Sequence, residues 1–106
     1  MPSQGPVIWG ERPGIFQGAI LPGSLNQTVS VTGTSQVSQA FSVNTTVVRA
    51  ISTSNCYLAF GASPVASATS LYLPANTIEY YGVGGSTKVA VLQVAASGTL
   101  YLSEGT

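Results

Sequence analysis

The chain has 106 residues, of which 6% are charged, and its formal net charge at neutral pH is zero. Ordinary soluble domains carry about 25% charged residues. Three basic residues cannot build the patch that neutralises nucleic-acid phosphates, so a nucleic-acid partner is excluded. A single cysteine and no histidine exclude an internal disulfide and a zinc site with four protein ligands.

The length predicts one domain with a core of its own. The sequence opens without a basic and apolar leader, and it lacks a run of about 20 apolar residues. We therefore expect a protein that is made in a cytoplasm and has no membrane partner. A net charge of zero favours a surface partly covered by other subunits, because free proteins usually keep a charge that resists association. A free surface rich in serine and threonine is the alternative.

Residues 1–24 differ in composition from the remainder of the chain. They hold four of the six prolines and five of the twelve glycines, which disfavour a helix or a central strand. Apolar side chains are nevertheless spread through the segment, so it does not resemble a solvated linker. We predict an extended N-terminal arm that is mobile in the isolated protein and orders across a neighbouring subunit. Its partner-binding residues are predicted to be Val7, Ile8, Trp9, Ile15 and Phe16.

From Asn26 onward the pattern becomes that of β-strands. In QTVSVT, SQVSQAFSV and NCYLAF, apolar side chains recur in a period of two, while TTVVRAIS alternates less regularly and places Arg49 and Ile51 on one face. The segments TSLYL, TIEYYGV, TKVAVLQVA and GTLYLSE complete the series. This predicts an all-β domain over residues 25–106, either an antiparallel β-sandwich or a jelly roll. The predicted core residues are Val29, Val31, Phe41, Val43, Cys56, Leu58, Phe60, Val89, Val91, Leu100 and Leu102.

Two connections carry specific predictions. The stretch PVASATS, residues 64–70, is the one place where the pattern leaves room for a short helical turn. The stretch GVGGSTK superficially suggests a phosphate loop, but Lys88 precedes a valine where that motif requires serine or threonine. Gly84-Gly85, between two strand patterns, instead predicts a hairpin turn.

The sequence offers no combination of residues that favours catalysis. Cys56 has no histidine to activate it and lies in phase with the core positions of its strand, so we interpret it as a packing residue. Glu11, Glu79 and Glu104 are interpreted as solvated or ion-paired surface acids, not as a catalytic pair. The prediction is a non-enzymatic protein with no cofactor, no metal and no small-molecule substrate.

Ordinary core and turn residues carry a resemblance to a known group of proteins. They are Arg49 and Ile51, CYLAFG at 56–61, Pro64, Ala66, LYLP at 71–74, EYYGV at 79–83, VAVLQ at 89–93 and Gly98. In order and spacing, this set resembles the small β-rich virion proteins of tailed bacteriophages. The resemblance covers roughly two thirds of the chain and does not extend to residues 1–24.

The resemblance implies a structural protein of the virion, a cement or decoration protein that binds the major capsid protein and stabilises the head. It also implies a location on the capsid surface, and we expect a homo-oligomer, either a dimer or a trimer. The alternative is a β-sandwich ligand-binding module, such as a carbohydrate-binding or adhesin-like domain. The residues available to that alternative are Tyr57, Tyr72, Tyr80, Tyr81 and Tyr101.

Overall fold

The computed structural model of the chain describes residues 25–106. These residues form eight β-strands, and no helix in this range could cross a membrane. The strands are β1 (Asn26–Val31), β2 (Gln36–Val37), β3 (Val47–Ser52), β4 (Cys56–Gly61), β5 (Leu71–Leu73), β6 (Glu79–Gly82), β7 (Lys88–Gln93) and β8 (Gly98–Gly105). All of their pairings are antiparallel, so the predicted all-β class is confirmed.

Two four-stranded sheets form the sandwich. Sheet A has the strand order β1-β8-β3-β6, and sheet B has the order β2-β7-β4-β5. The first strand therefore pairs with the last, β2 with β7, β3 with β6, and β4 with β5. The strands pair as they would in one long hairpin, and successive pairs alternate between sheet A and sheet B. This arrangement is the eight-strand jelly roll, one of the two architectures that the sequence pattern predicts.

The core lies between the inner faces of the sheets and follows the period of two in the sequence. In β4, Cys56 and Leu58 are fully buried, whereas Tyr57 between them points to the outer face. Phe60 is partly buried against the same core, with its ring centroid 5.1 Å from that of Tyr81. Burial is also confirmed for Val29, Val31, Phe41, Val89, Val91, Leu100 and Leu102.

The core prediction is wrong for Val43, because the strand predicted around it is much shorter than the pattern suggests. β2 contains two residues, and residues 38–46 form a connection that leaves sheet B and enters sheet A. Val43 lies in a turn of that connection and is 75% exposed. Phe41 is buried as predicted, although it reaches the core from the connection and not from a strand.

The predicted hairpin at Gly84-Gly85 is also wrong. The flanking strands β6 and β7 belong to different sheets, so this connection crosses between the two layers and does not join paired strands. A turn is nevertheless present, and Ser86 has a positive φ of 65°. Gly85 lies so close to the carbonyl group of Val43 that a Cβ atom at this position would overlap it. A glycine is therefore required where the two connections meet.

Residues 62–70 connect β4 to β5, and we call them the cover. They contain turns and no helix, so the helical turn considered for this stretch does not form. The backbone N–H of Ala66 donates to Ser35 Oγ at 3.0 Å, just before the strand at the far edge of sheet B. Ala90 points outward from β7 yet is fully buried. We attribute this burial to the cover, which lies across the outer face of sheet B.

Candidate functional site

Cys56 is a packing residue, as the sequence predicts. Its side chain is fully buried and forms no disulfide. Burial raises the pKa of the thiol, and a hydrogen bond with the Ser52 side chain opposes part of this rise. The thiol is therefore protonated at neutral pH and shielded from solvent, which is the opposite of what a nucleophile needs. Within residues 25–106, no three His, Cys, Asp or Glu side chains are grouped as metal ligands.

Glu104 is a buried carboxylate, so its interpretation as a surface acid is wrong. Its side chain is 5% exposed. The backbone N–H of Ser42 donates to its Oε1 at 2.9 Å, and Thr45 Oγ1 donates to the same oxygen at 2.7 Å. The carboxylate thereby holds the connection between β2 and β3 against β8. Glu79 is exposed, in agreement with its interpretation, and Glu11 lies outside the described residues.

A shallow depression lies on the outer face of sheet A. Its volume is about 590 Å³, and it is open to solvent. We call it the sheet A depression. Its lining consists of Asn26, Gln27, Thr28, Arg49, Ile51, Tyr101, Leu102 and Ser103. These residues come from β1, β3 and β8, which are neighbours in the sheet although they are far apart in the sequence.

Strand register explains the apolar part of the depression. Tyr101 of β8 lies opposite Thr28 of β1 on one side and opposite Ile51 of β3 on the other. Residues that face each other in antiparallel strands have Cβ atoms about 4.5–5.5 Å apart, so these three side chains form one row. Tyr101 is 48% exposed, which leaves much of its side chain accessible to a partner.

Among residues 25–106, Arg49 is the only charged residue that lines the depression. It is half-buried and lies opposite Ser103 of β8 and Tyr80 of β6. The two acids among residues 25–106 are directed elsewhere. Glu104 accepts its hydrogen bonds near the β2–β3 connection, and Glu79 pairs in register with Ala50, whose side chain is in the core. The depression therefore presents a positive charge that neither of these acids neutralises.

The five tyrosines are divided among three surfaces. Tyr101 and Tyr80 lie on the outer face of sheet A. Tyr57 and Tyr72 meet edge to face on the outer side of sheet B, with ring centroids 6.0 Å apart. Tyr81 points inward and packs against the core, and burial raises the pKa of its hydroxyl. They do not form a single aromatic platform.

Exposed apolar side chains gather along one side of the sandwich. β5 and β6 are edge strands of sheets B and A, and a short connection joins them. On and beside these strands, Leu71, Tyr72 and Ile78 are each about half exposed. Glu79 is the only charged residue on either strand. We call this surface the β5–β6 edge.

The predicted partner-binding residues of the arm lie outside the described part of the chain. They are Val7, Ile8, Trp9, Ile15 and Phe16. The described residues do show how the chain enters the fold. The N–H of Glu104 donates to the carbonyl of Leu25 at 2.9 Å, so the pairing of β1 with β8 extends back to Leu25 at the edge of sheet A.

The sequence pattern does not reveal the sheet A depression. It correctly places Arg49 and Ile51 on one face of β3, but it gives no indication that β1 and β8 lie beside that strand. The available signal was the outward phase of Thr28 and Tyr101 within their own strands. Thr28, Tyr101 and Ile51 come together because the strand order of sheet A places β1, β8 and β3 side by side.

The notable features of the described surface are exposed apolar side chains, tyrosines and an arginine toward which no acid of residues 25–106 is directed. Comparisons with family models, with curated proteins and with solved structures found no match to this chain. The jelly roll is shared by proteins with many functions. A functional assignment must therefore rest on particular surfaces of this molecule.

Proposed function

We propose that this chain is a structural protein of a tailed-phage virion, a cement or decoration protein that binds the major capsid protein and stabilises the head. The observation that carries the proposal is the β5–β6 edge, where Leu71, Tyr72 and Ile78 are exposed beside a single charge. Contiguous exposed apolar patches on soluble proteins commonly mark contacts with a partner. The resemblance of the CYLAFG, EYYGV and VAVLQ segments to small virion proteins supports the class of partner.

The protein acts mechanically, by spreading contact across neighbouring capsid subunits. An edge strand presents unpaired backbone N–H and C=O groups, and a partner strand can add to them. β5, the edge strand of sheet B, combines such groups with the apolar side chains of Leu71 and Tyr72. The N-terminal arm joins the protein to a neighbouring subunit, with Trp9 and Phe16 as its anchors. The protein works as a dimer or a trimer on the capsid surface.

The scarcity of charge supports the same role. Residues 25–106 contain four charged side chains, and one of them, Glu104, is buried. Covering a charge with a partner removes its hydration, which is costly unless the charge is paired. A surface with so few charges can therefore be covered over a large area at little electrostatic cost.

The ligand-binding module receives less support. Such a function needs aromatic rings that converge on one platform, whereas the structure divides the five tyrosines among three surfaces. Only Tyr101 lines the sheet A depression. A small ligand would therefore meet one ring and a shallow, open floor.

Co-sedimentation with phage heads tests the proposal. Heads that lack the protein would be prepared from the phage that encodes it, mixed with the purified chain and pelleted. We expect the wild-type protein to pellet with the heads and Leu71→Asp to bind at least about tenfold more weakly, since it places a charge in an apolar interface. Val65→Asp is the matched control, because Val65 is an apolar residue that is at least as exposed as Leu71 but lies on the cover.

Two results would contradict the proposal. One is the absence of the protein from intact particles of the encoding phage. The other is equal binding of Leu71→Asp and Val65→Asp to the heads, which would show that the β5–β6 edge does not make the contact. Circular dichroism of both variants confirms that the sandwich is intact before the comparison is made.

A further inference from the structure

We infer that the sheet A depression is an acceptor site for residues 1–24 of a second copy of this chain. The depression offers apolar surface from Ile51 and Tyr101 and one positive charge from Arg49. The segment carries the complementary chemistry, since its apolar side chains lie on both sides of its single acid, Glu11. The contact goes beyond the proposed binding of a capsid protein and does not depend on it.

Charge complementarity identifies the occupant. Arg49 is half-buried, and neither Glu79 nor Glu104 is directed toward it. A carboxylate from Glu11 beside Arg49 would complete an ion pair on the floor of the depression. In an extended segment, successive side chains point to opposite sides. Arg12 would therefore point away from the depression when Glu11 faces it.

The apolar residues near Glu11 match the surroundings of Arg49. Trp9 lies two positions before Glu11, on the same side of an extended segment, whereas Phe16, five positions after Glu11, lies on the opposite side. The Tyr101 side chain, half exposed in the row beside Arg49, gives an aromatic partner to the ring of Trp9. Aromatic pairs of this kind add to the stabilisation from buried area alone.

The entry of the chain into β1 favours a second copy over the same copy. Pairing with β8 already includes Leu25, and a segment that kept the direction of β1 before Leu25 would lead away from the depression, which lies beside residues 26–28. To reach its own depression, the segment would have to reverse direction immediately before Leu25. Its four prolines instead favour an extended form. At about 3.1 Å per residue, 24 such residues span roughly 75 Å, enough to reach a neighbour.

Each copy then gives one segment and accepts another, reciprocally about a two-fold axis in a dimer and head-to-tail in a trimer. Head-to-tail contacts close into a ring when the rotation between copies allows it, and otherwise they form an open chain. In a dimer or a trimer linked in this way the sheet A depressions are occupied, whereas β5 and β6 contribute no residue to the depression.

Photocrosslinking between isotopically distinct copies tests the inference on the purified full chain. Trp9 is replaced by photoreactive p-benzoylphenylalanine in the unlabelled protein, which is mixed with an equal amount of heavy-isotope-labelled protein that lacks the photoreactive group. We expect crosslinks from unlabelled residue 9 to labelled peptides that contain Ile51 or Tyr101. Mass spectrometry identifies both the copy and the peptide.

Charge reversal sharpens the test. Arg49→Glu should lower the yield of crosslinks between copies by about three- to fivefold, the range of a partly screened ion pair. Glu11→Lys combined with Arg49→Glu should restore the yield, and this restoration also shows that Arg49→Glu leaves the fold intact. Lys88→Glu is the matched control, because Lys88 is also half-buried but lies on sheet B, and it should not change the yield.

Three results would overturn the inference. The first is crosslinking only within the same copy, which would place the segment on its own sheet. The second is crosslinking to another copy at peptides of sheet B, or at no peptide at all. The third is an unchanged yield for Arg49→Glu, or a double variant no better than that single variant. Because phage heads are absent from the experiment, its outcome is independent of the proposed function.

Discussion

The two outer faces of the sandwich differ although each belongs to a four-stranded antiparallel sheet. On sheet B the cover lies across the face, and Ala90 is fully buried despite pointing outward. On sheet A the corresponding strands leave a depression in which Tyr101 is half exposed and Arg49 has no acidic partner from residues 25–106. The difference teaches that one long connection can bury an outward-facing residue of β7, although Tyr72 on the same face stays half exposed. The outer face of sheet A is the one that we propose accepts another chain.

The largest expected change in stability tests whether the cover buries Ala90 on the outer face of sheet B. Ala90→Gln should lower the free energy of unfolding by about 2–4 kcal/mol, because a longer polar side chain must fit beneath the cover. Thr28→Gln, at an exposed outward position of sheet A, should change it by less than about 0.5 kcal/mol. Urea denaturation measures both. Similar losses in the two variants would mean that the two faces are equally open.

The crossing from sheet A to sheet B carries the next prediction. Gly85→Ala should destabilise the fold by about 1–3 kcal/mol, because the added Cβ overlaps the backbone of Val43 and one of the two connections must move. Gly84→Ala is the control, since a Cβ there would lie 3.7 Å from Thr87 Cγ2, an ordinary contact. Thermal or urea denaturation measures the free energy of unfolding of both variants. A larger loss for Gly84→Ala than for Gly85→Ala would mean that the close contact with Val43 does not lie at Gly85.

A third prediction concerns the carboxylate that ties sheet A to the β2–β3 connection. Glu104→Ala should cost about 1–3 kcal/mol, because the Ser42 N–H and the buried Thr45 hydroxyl lose their acceptor. Glu104→Gln keeps an acceptor oxygen of the same shape, so its loss should be clearly smaller. Equal losses in urea denaturation would indicate that the negative charge matters more than the hydrogen bonds.

The smallest expected change in stability comes from Cys56, on the inner face of sheet B. Burial raises the pKa of the Cys56 thiol above its ordinary value of 9.0, so folding favours the neutral form. The stability from this group is complete below the unfolded-state pKa and is lost as the pH rises through the folded-state pKa. The free energy of unfolding of the wild type should therefore fall above about pH 8.5. Cys56→Ala should show a shallower fall over the same range.

Ionisation of Tyr81 should lower the free energy of unfolding a second time, at higher pH. Burial also raises the pKa of this side chain, whose ordinary value is 10.0. Urea denaturation at intervals from neutral to alkaline pH separates the two. Parallel curves for the wild type and Cys56→Ala up to the tyrosine range would show that Cys56 is not buried as described. Rapid native-state labelling of the thiol at neutral pH would lead to the same conclusion.

The sequence predicts much of the fold because, within each strand, apolar residues that recur in a period of two mark the side chains that are buried. Val29 and Val31, like Cys56 and Leu58, alternate with outward side chains, and all four are buried. The pattern fails where a residue's environment is set by distant partners. By its place in the alternation, Val43 should face the core from a strand. Its segment instead forms the connection between the two sheets, so its side chain is exposed.

Glu104 and the sheet A depression show the same limit more clearly. Glu104 is buried because Thr45, 59 residues earlier in the chain, supplies a hydrogen bond that no local pattern indicates. The depression requires β1, β3 and β8 side by side, and strand order is a property of the whole sandwich. Local alternation gives the faces of each strand but not the identity of its neighbours.

The pairing of the first strand with the last has a consequence for the order of events during synthesis. Asn26 pairs with Ser103, so β1 leaves the ribosome long before its partner strand β8 exists. The local pair β4 and β5 can form first, whereas closing β1 onto β8 must wait for nearly the whole domain. Folds dominated by such distant pairings fold in about milliseconds to seconds. Throughout that interval Val29 and Val31 have no core to enter, which makes β1 the strand most exposed to mispairing in a nascent chain.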